Sequence, residues 1–433
     1  MFSRSLPFIL FSLLVPSGLC ELQAQDALIS DRPSDVQFLP RPTIALEGGL
    51  WFDGKEFVAS DWYSVDGKFT RSRPDRIDVR INLRDRYVLP PLAEAHNHNL
   101  QNAWSAQAFA GDYLRRGIFY TAQMAANSEE IAAYRGLLRG PASVDVLWAE
   151  ATLSSSDGHP LGLALGLAKQ AGMALSEQDV VDKSFWAIDD EADLEAKWPR
   201  IAEAGPKLVK VIVVDEANSE RQRADPSTYG QRGLNARLLP LIVRKAHGIG
   251  ARVAAHVDSA ADIDLVVTAG VDIVAHMNTR IPEGLSVRDL RLSNKTIETM
   301  RQRGTVLIPT VAATKYYLAG HPEHREALNH VIVDNLKRLK AAGVAMLTGS
   351  DLFDGSVIDE IEALAATGVF SPAELLNMAT CKTPQTLFPE RRIGAFGEGA
   401  EASLVVYENN PLANLTALRS PRLALKQGEI LSR

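Results

Sequence analysis

The chain has 433 residues, of which 46% are hydrophobic and 23% are charged, the balance of a globular protein with room for one large and one small domain. Its net charge of −7 argues against a nucleic acid as the natural partner. The composition leaves the type of chemistry open.

The first 24 residues differ from the rest of the chain. A short basic start at residues 1–4 precedes the apolar run 5–15, and small residues near Cys20 and Ala24 offer two cleavage points. This pattern is typical of a secretory signal peptide, and the apolar run is too short to span a membrane. We therefore expect residues 1–24 to be a leader and the protein to be exported, periplasmic or secreted, without a membrane span.

The chain has two cysteines, Cys20 in the predicted leader and Cys381 near the C-terminal end. Cys20 could carry a lipid anchor instead of being cleaved off, although Leu19 before it fits a lipoprotein signal poorly. Without the leader, Cys381 is the one certain cysteine, and a single cysteine cannot form an internal disulfide. Stability must then come from the core or from bound metal.

Both ends of the mature chain have the pattern of short strands separated by turns. The turns near the start contain Gly54 and Gly67, and the C-terminal strand candidates are 402–407 and 423–430. We predict that residues 25–86 and 387–433 pair into one small β-sandwich beside a middle domain at 87–386.

The middle domain alternates between apolar strands and helices. The strand candidates are 87–94, 118–124, 144–150, 208–214, 252–256, 272–276, 305–309 and 345–348. Eight strands that alternate with helices predict an α/β fold, a (β/α)8 TIM barrel, whose chemistry lies at the carboxyl ends of the strands. The segment 151–205 is longer than one βα unit and is expected to cover part of the mouth.

Metal-compatible side chains occur at the ends of five predicted strands. They are His96, His98, Lys210, His256, His276 and Asp351. His96 and His98 are two residues apart, so on a strand they project to the same side. Imidazole nitrogen and carboxylate oxygen suit Zn²⁺, with Mn, Fe, Co or Ni as other possibilities.

Each of these residues also has an ordinary structural interpretation. Lys210 could reach the surface, although its apolar neighbours make that less favourable, and His256 and His276 could be satisfied core histidines. Asp351 could be a turn residue after Gly349. The repeated placement at strand ends favours a metal site over these alternatives.

The same residues resemble the ligand set of a known family. His96-Asn97-His98, Lys210, His256, His276 and Asp351 are similar to that of the amidohydrolase superfamily, in its imidazolonepropionase-like and prolidase-like branch. The tracts 371–380, 397–406 and 410–412 resemble that branch's last helix and its return into the β-sandwich. The resemblance covers nearly all of the chain after the leader and implies a metal-dependent hydrolase of carbon–nitrogen bonds with a small-molecule substrate.

The resemblance also implies roles for the site residues. Lys210 would be carbamylated by CO₂ and bridge two divalent metal ions, with Zn as the expected metal. His96, His98 and Asp351 would hold one ion, and His256 and His276 the other. Metal lowers the pKa of bound water to about 7. Asp351 would be the general acid/base that takes the water's proton and passes it to the leaving nitrogen.

Four residues are candidates for substrate contacts. His159 follows the third predicted strand, and Tyr316 follows the seventh; either could instead be a loop or packing residue. Tyr229 and Arg232 lie before the helix that follows the fourth strand, a region that grips a substrate carboxylate in prolidase-like relatives. We carry all four as candidate substrate-binding residues.

Three functions compete at this point. The first is a binuclear-metal hydrolase of a dipeptide, an N-acyl amino acid or a cyclic amide. The second is a mononuclear aminohydrolase that deaminates a heterocycle and has no use for a carbamylated Lys210. The third is a catalytically inactive metal- or ligand-binding relative, against which the intact general base at Asp351 argues. The pattern leaves a homo-oligomer possible.

Overall fold

The computed structural model describes residues 41–432 apart from 139, 151 and 171, so the predicted leader and Cys20 lie outside the described residues. The strands are β1 (Ile44–Phe52), β2 (Phe57–Val65), β3 (Lys68–Thr70), β4 (Val79–Asn82), β5 (Tyr87–Leu89), β6 (Leu92–Asn97), β7 (Ile118–Gln123), β8 (Asp145–Trp148), β9 (Thr152–Ser154), β10 (Phe185–Ala187), β11 (Leu208–Ile212), β12 (Arg252–His256), β13 (Ile273–Val274), β14 (Val306–Leu307), β15 (Leu404–Tyr407), β16 (Leu423–Lys426) and β17 (Glu429–Ser432).

Helices separate most of the strands in the middle of the chain. They are α1 (Ala103–Arg115), α2 (Ser128–Tyr134), α3 (Leu161–Gln170), α4 (Glu191–Glu203), α5 (Ser219–Ala224), α6 (Leu239–Gly248), α7 (Ala260–Ala269), α8 (Asn294–Arg303), α9 (Thr314–Gly320), α10 (Arg325–Ala342), α11 (Val357–Ala366), α12 (Pro372–Asn377) and α13 (Thr383–Leu387). Within the described residues, no helix combines the length and the apolar character needed to cross a bilayer.

Strands from both ends of the described chain pair into one eight-stranded sheet. Its order is β17-β16-β15-β5-β1-β2-β3, with β4 beside β1. β15 runs antiparallel to β5, where Val405 lies opposite Leu89, and this pairing joins the C-terminal strands to the N-terminal ones. Aromatic rings pack within this unit, and the ring centroids of Trp51 and Phe69 lie 6.1 Å apart in an edge-to-face contact.

The predicted strand 87–94 is two strands that belong to different sheets. β5 pairs with β1 and β15 in the terminal sheet, whereas β6 pairs with β7 in a parallel sheet. Pro90 and Pro91 separate them, because proline has no N–H for a strand ladder and restricts the backbone. The single apolar run therefore carries the chain from one sheet into the next.

The remaining strands form two parallel sheets. One is β6-β7-β8 and the other is β10-β9-β11-β12-β13-β14. Ile212 pairs with His256, so the carboxyl ends of β11 and β12 lie side by side. Since parallel strands end at the same edge, side chains at their carboxyl ends converge.

The eighth predicted strand, 345–348, forms an isolated bridge and not a full strand. Met346 bridges to Leu307 of β14, and Thr348 O accepts a hydrogen bond from Ala95 N of β6 at 2.8 Å. The protein is thus a mixed α/β chain with parallel sheets and one additional sheet built from its two ends.

Candidate functional site

The structure brings all of the predicted metal-site residues into one region. They are His96 and His98 at the end of β6, Lys210 on β11, His256 at the end of β12, His276 after β13, and Asp351 after the eighth predicted strand. Asp351 is fixed there by its backbone, because its N–H donates a hydrogen bond to His96 O at 3.0 Å and its φ is +53°. The bond ties the end of the last predicted strand to the first.

The ligand atoms of these side chains face one another. His96 Nε2 lies 3.1 Å from His98 Nε2, and Asp351 Oδ1 lies 3.3 Å from each of them. His276 Nε2 lies 2.6 Å from His256 Nδ1. Two groups of ring nitrogens and one carboxylate therefore converge at the strand ends.

These donors fit a divalent cation. His96 Nδ1 donates its proton to Ala275 O at 2.5 Å, which leaves the lone pair on Nε2 for a ligand. Burial lowers the pKa of His98 to about 3 and holds the pKa of His96 and His276 well below the usual range, so these rings are neutral. Neutral imidazoles whose lone pairs face each other are what Zn²⁺ and related ions bind.

Lys210 and Asp351 are the charged groups of the cluster. Lys210 is 3% exposed. Burial lowers the pKa of the Lys210 amine and raises the pKa of the Asp351 carboxyl, while each charge favours the ionised form of the other. A buried lysine among metal-ligand histidines repels a cation unless its amine is converted to a neutral or anionic group.

Glu94 supports the cluster from behind, and the sequence analysis missed it. Its buried carboxylate accepts hydrogen bonds from Ser350 N at 2.7 Å, from Ser350 Oγ at 2.8 Å and from His96 N at 3.2 Å. Burial raises the pKa of Glu94 to about 7. The signal was present in the sequence, since Glu94, His96 and His98 follow one another at the two-residue spacing of one strand face.

A second carboxylate lies behind the His256 ring. Asp258 Oδ1 lies 3.6 Å from His256 Nε2, on the side of the ring away from His276, and accepts from Arg280 Nε at 3.1 Å. The Arg280 guanidinium and the His256 ring hold the pKa of Asp258 well below its usual range against the opposing effect of burial. A carboxylate behind a ligand histidine fixes the tautomer that presents the other nitrogen.

A cavity of about 240 Å³ opens in front of the cluster. Apolar side chains form much of its wall, among them Met124, Leu163, Ala164 and Val180. The last three belong to the segment that follows β9, which was expected to cover part of the mouth. An apolar cavity with a few convergent polar groups is the usual form of a small-molecule site.

Two candidate substrate contacts line this cavity. The His159 ring stacks on the His256 ring with centroids 5.2 Å apart, and burial lowers the pKa of His159 to about 3. Tyr316 is 41% exposed at the mouth, and its hydroxyl donates to Asp354 Oδ1 at 2.8 Å. Both side chains form part of the cavity wall.

Tyr229 and Arg232 lie elsewhere and are not among the described residues that line the cavity. The Arg232 side chain pairs with Asp157 and donates from Nε to Thr228 Oγ1 at 3.0 Å. Its carbonyl accepts from His159 N at 2.7 Å. The structure thus places Arg232 as a support of the loop that carries His159.

A cluster of histidines and a carboxylate at the ends of parallel strands, beside an apolar cavity, is the arrangement of a metal centre that acts on a small molecule. The sequence profile of the Amidohydrolase family matches residues 87–431, and the chain belongs to this family. It is therefore a hydrolase that acts on carbon–nitrogen bonds.

Individual relatives agree in fold. The ochratoxinase of Aspergillus niger is 24% identical over 404 residues, covering 84% of this chain and 78% of that protein. Its crystal structure matches with a TM-score of 0.70 at 17% identity over 91% of this chain and 96% of its own. A Xaa-Pro dipeptidase with bound methionine matches with a TM-score of 0.70 at 18% identity, over 90% of this chain and all of that one.

Proposed function

We propose that the chain is a binuclear-metal hydrolase of amide bonds, with a dipeptide, an N-acyl amino acid or a cyclic amide as its substrate. The observation that carries this proposal is a lysine buried among the ligand histidines, since Lys210 is 3% exposed. A mononuclear site has no need for that side chain, whereas a carbamate formed on Lys210 would offer metal ions two oxygens that share one negative charge.

The residues of this chain would hold the ions as follows. His96, His98 and Asp351 would bind one, His256 and His276 the other, and Lys210 would bridge the two, with Zn²⁺ as the expected metal. The bridge forms when the neutral Lys210 amine adds to CO₂ and loses one proton, which leaves an anionic carbamate. When bound, such ions lower the pKa of water toward 7 and polarise the scissile carbonyl.

Asp351 moves the proton in this proposal. Its carboxylate accepts the proton of the attacking water and returns it to the amide nitrogen that leaves. His159 and Tyr316 contact the substrate from the cavity wall. Arg232 acts through the His159 loop, given the hydrogen bond from His159 N to Arg232 O. The ochratoxinase and dipeptidase names of the relatives support an amide or peptide bond as the target.

We further propose that residues 87–386 close into a (β/α)8 barrel and that the two ends form the small β domain of the predicted boundaries. The hydrogen bond from Ala95 N to Thr348 O supports closure, because it links the first parallel strand to the last predicted one. The pairing of Val211 with Leu153 and the bridge of Met346 to Leu307 support it at two other junctions.

Export remains part of the proposal and rests on the pattern of residues 1–24. N-terminal sequencing of the protein recovered from the periplasm or the medium tests it. A start after residue 20 or 24 supports cleavage, and an intact Met1 on cytoplasmic protein contradicts it.

The proposed function is tested by metal content and product identity together. The protein is expressed with bicarbonate, purified without chelator, and compared with Lys210→Ala and with Lys337→Ala, a control at an exposed lysine of α10. We expect two ions per chain in the wild type and in the control, fewer in Lys210→Ala, and release of an amine and a carboxylate from amides. One ion that is insensitive to Lys210, with ammonia released from a heterocycle, would instead support the mononuclear aminohydrolase.

A further inference from the structure

The cavity contains one carboxylate that the proposed chemistry does not use. Glu130 of α2 lines the same cavity as His98 and Asp351 and is half-buried. Within the described residues, its carboxylate forms no hydrogen bond or ion pair. Burial raises the pKa of Glu130 to about 7, and no neighbouring charge opposes that rise. An ionised carboxylate in such a place is unfavourable until a cation or a donor group binds it.

The charged residues of the cavity wall indicate which sign of charge a ligand should carry. Among the described lining residues, Glu130 and Asp351 are the acids and Lys210 is the one lysine, with no arginine. Lys210 belongs to the metal cluster, and Arg232 is occupied by Asp157. The described wall therefore has a spare negative charge and no spare positive one.

We propose that Glu130 is a specificity-determining residue that binds a protonated amine of the substrate. The substrate class is then an amide that also carries an ammonium group, such as an aminoacyl amide or a dipeptide with a free amine. The apolar wall at Met124, Leu163 and Val180 accommodates an aliphatic or aromatic side chain on the same half. This inference rests on the proposed function, since it specifies the substrate of that site.

The test uses matched substrates that differ only in the ammonium group: leucine p-nitroanilide and 4-methylpentanoic acid p-nitroanilide. The enzymes are wild type, Glu130→Gln, Glu130→Asp, and Glu326→Gln as a control at an exposed glutamate outside the cavity. A charge-assisted hydrogen bond predicts a loss of kcat/KM on the order of tenfold to hundredfold for the ammonium substrate in Glu130→Gln. We expect the loss mainly as a higher KM, with kcat/KM for the neutral substrate unchanged. In Glu130→Asp, kcat/KM for the ammonium substrate should partly recover.

A binding measurement separates this inference from the proposed function. Calorimetry compares leucine hydroxamate with its desamino counterpart on metal-loaded wild type and on Glu130→Gln, whose melting temperatures are checked first. Tighter binding of the ammonium ligand by the wild type, lost in Glu130→Gln, supports the inference even if neither anilide is hydrolysed. Absence of anilide hydrolysis would count against the proposed amide hydrolysis and not against the role of Glu130. Equal affinity of the wild type for the two ligands, or an equal loss of affinity for both ligands in Glu130→Gln, would overturn the role of Glu130.

Discussion

Two groups of histidines and carboxylates in this chain offer the same kinds of ligand atom, one group in the interior and the other at the surface. The strand-end group of His96, His98 and Asp351 is buried or half-buried, and the second group, His321, Glu323 and His324, is largely exposed just before α10. In both, the ligand atoms lie within 4.8 Å of one another. The donor set alone therefore does not distinguish a functional site from a surface cluster.

The difference lies in what holds the donors. His96 is oriented by the Ala275 carbonyl and by Glu94, which accepts from its backbone N–H. In the exposed group, His321 Nδ1 lies 3.5 Å from Glu323 Oε1, and the neighbours are residues of the same short segment. Orientation by residues distant in sequence fixes the lone pairs before a ligand arrives.

Replacement of Asp351, the proposed general base, is expected to give the largest contrast between the two groups. Asp351→Asn removes the proton acceptor, so kcat for amide hydrolysis should fall by about 10²–10⁴-fold. The matched change in the exposed group, Glu323→Gln, should leave kcat unchanged. Steady-state kinetics on both variants measures the contrast, and undiminished turnover in Asp351→Asn would remove Asp351 from the mechanism.

Metal removal is expected to be the next largest effect. An ion that binds only the folded protein at a thousandfold over its Kd adds roughly 4 kcal/mol to the free energy of unfolding. Dialysis against a chelator should therefore lower the melting temperature of the wild type, and Zn²⁺ should restore it. The double variant His321→Ala/His324→Ala should show the same shift. A shift lost in that variant would assign the stabilising ion to the exposed group.

Loss of the carboxylate behind His256 is expected to weaken metal binding more moderately. Asp258→Asn keeps the shape of the side chain but removes the charge that faces the His256 ring and Arg280. Groups that orient a ligand histidine typically change metal affinity by about 10–100-fold. Competition with a chelator of known affinity gives the value for Asp258→Asn and for Glu323→Gln as its control. Equal affinity in wild type and Asp258→Asn would show that His256 needs no such support.

The sequence indicated the candidate metal-ligand side chains better than the residues that hold them in place. Histidines and an aspartate after apolar strands could be assigned to one edge, because parallel strands share the edge where they end. Glu94 was available from the same two-residue spacing as His96 and His98. Asp258 was not, because its partner Arg280 lies on a different loop and their distance depends on how β12 and β13 pack.

The limits of sequence reasoning in the fold have similar causes. Pro90 and Pro91 could have divided the apolar run at 87–94, since proline interrupts strand pairing. Segment 151–205 was expected at the mouth, but the individual side chains of the cavity wall could not be predicted, because Glu130, Leu163 and Val180 come from stretches without a strand or ligand pattern. The pairing of Arg232 with Asp157 could not be predicted either, because it is a contact between two loops that no spacing reveals.

The smallest expected effect comes from His321→Ala. This residue is about half exposed, and its ring stacks on Tyr317 with centroids 4.5 Å apart. Because water already covers much of the ring, its truncation should change the free energy of unfolding by no more than about 0.5 kcal/mol. Urea denaturation and elemental analysis of the same sample measure stability and metal content together. Loss of one ion per chain would show that an exposed, locally built group can hold metal in this protein, and burial would then no longer separate the two groups.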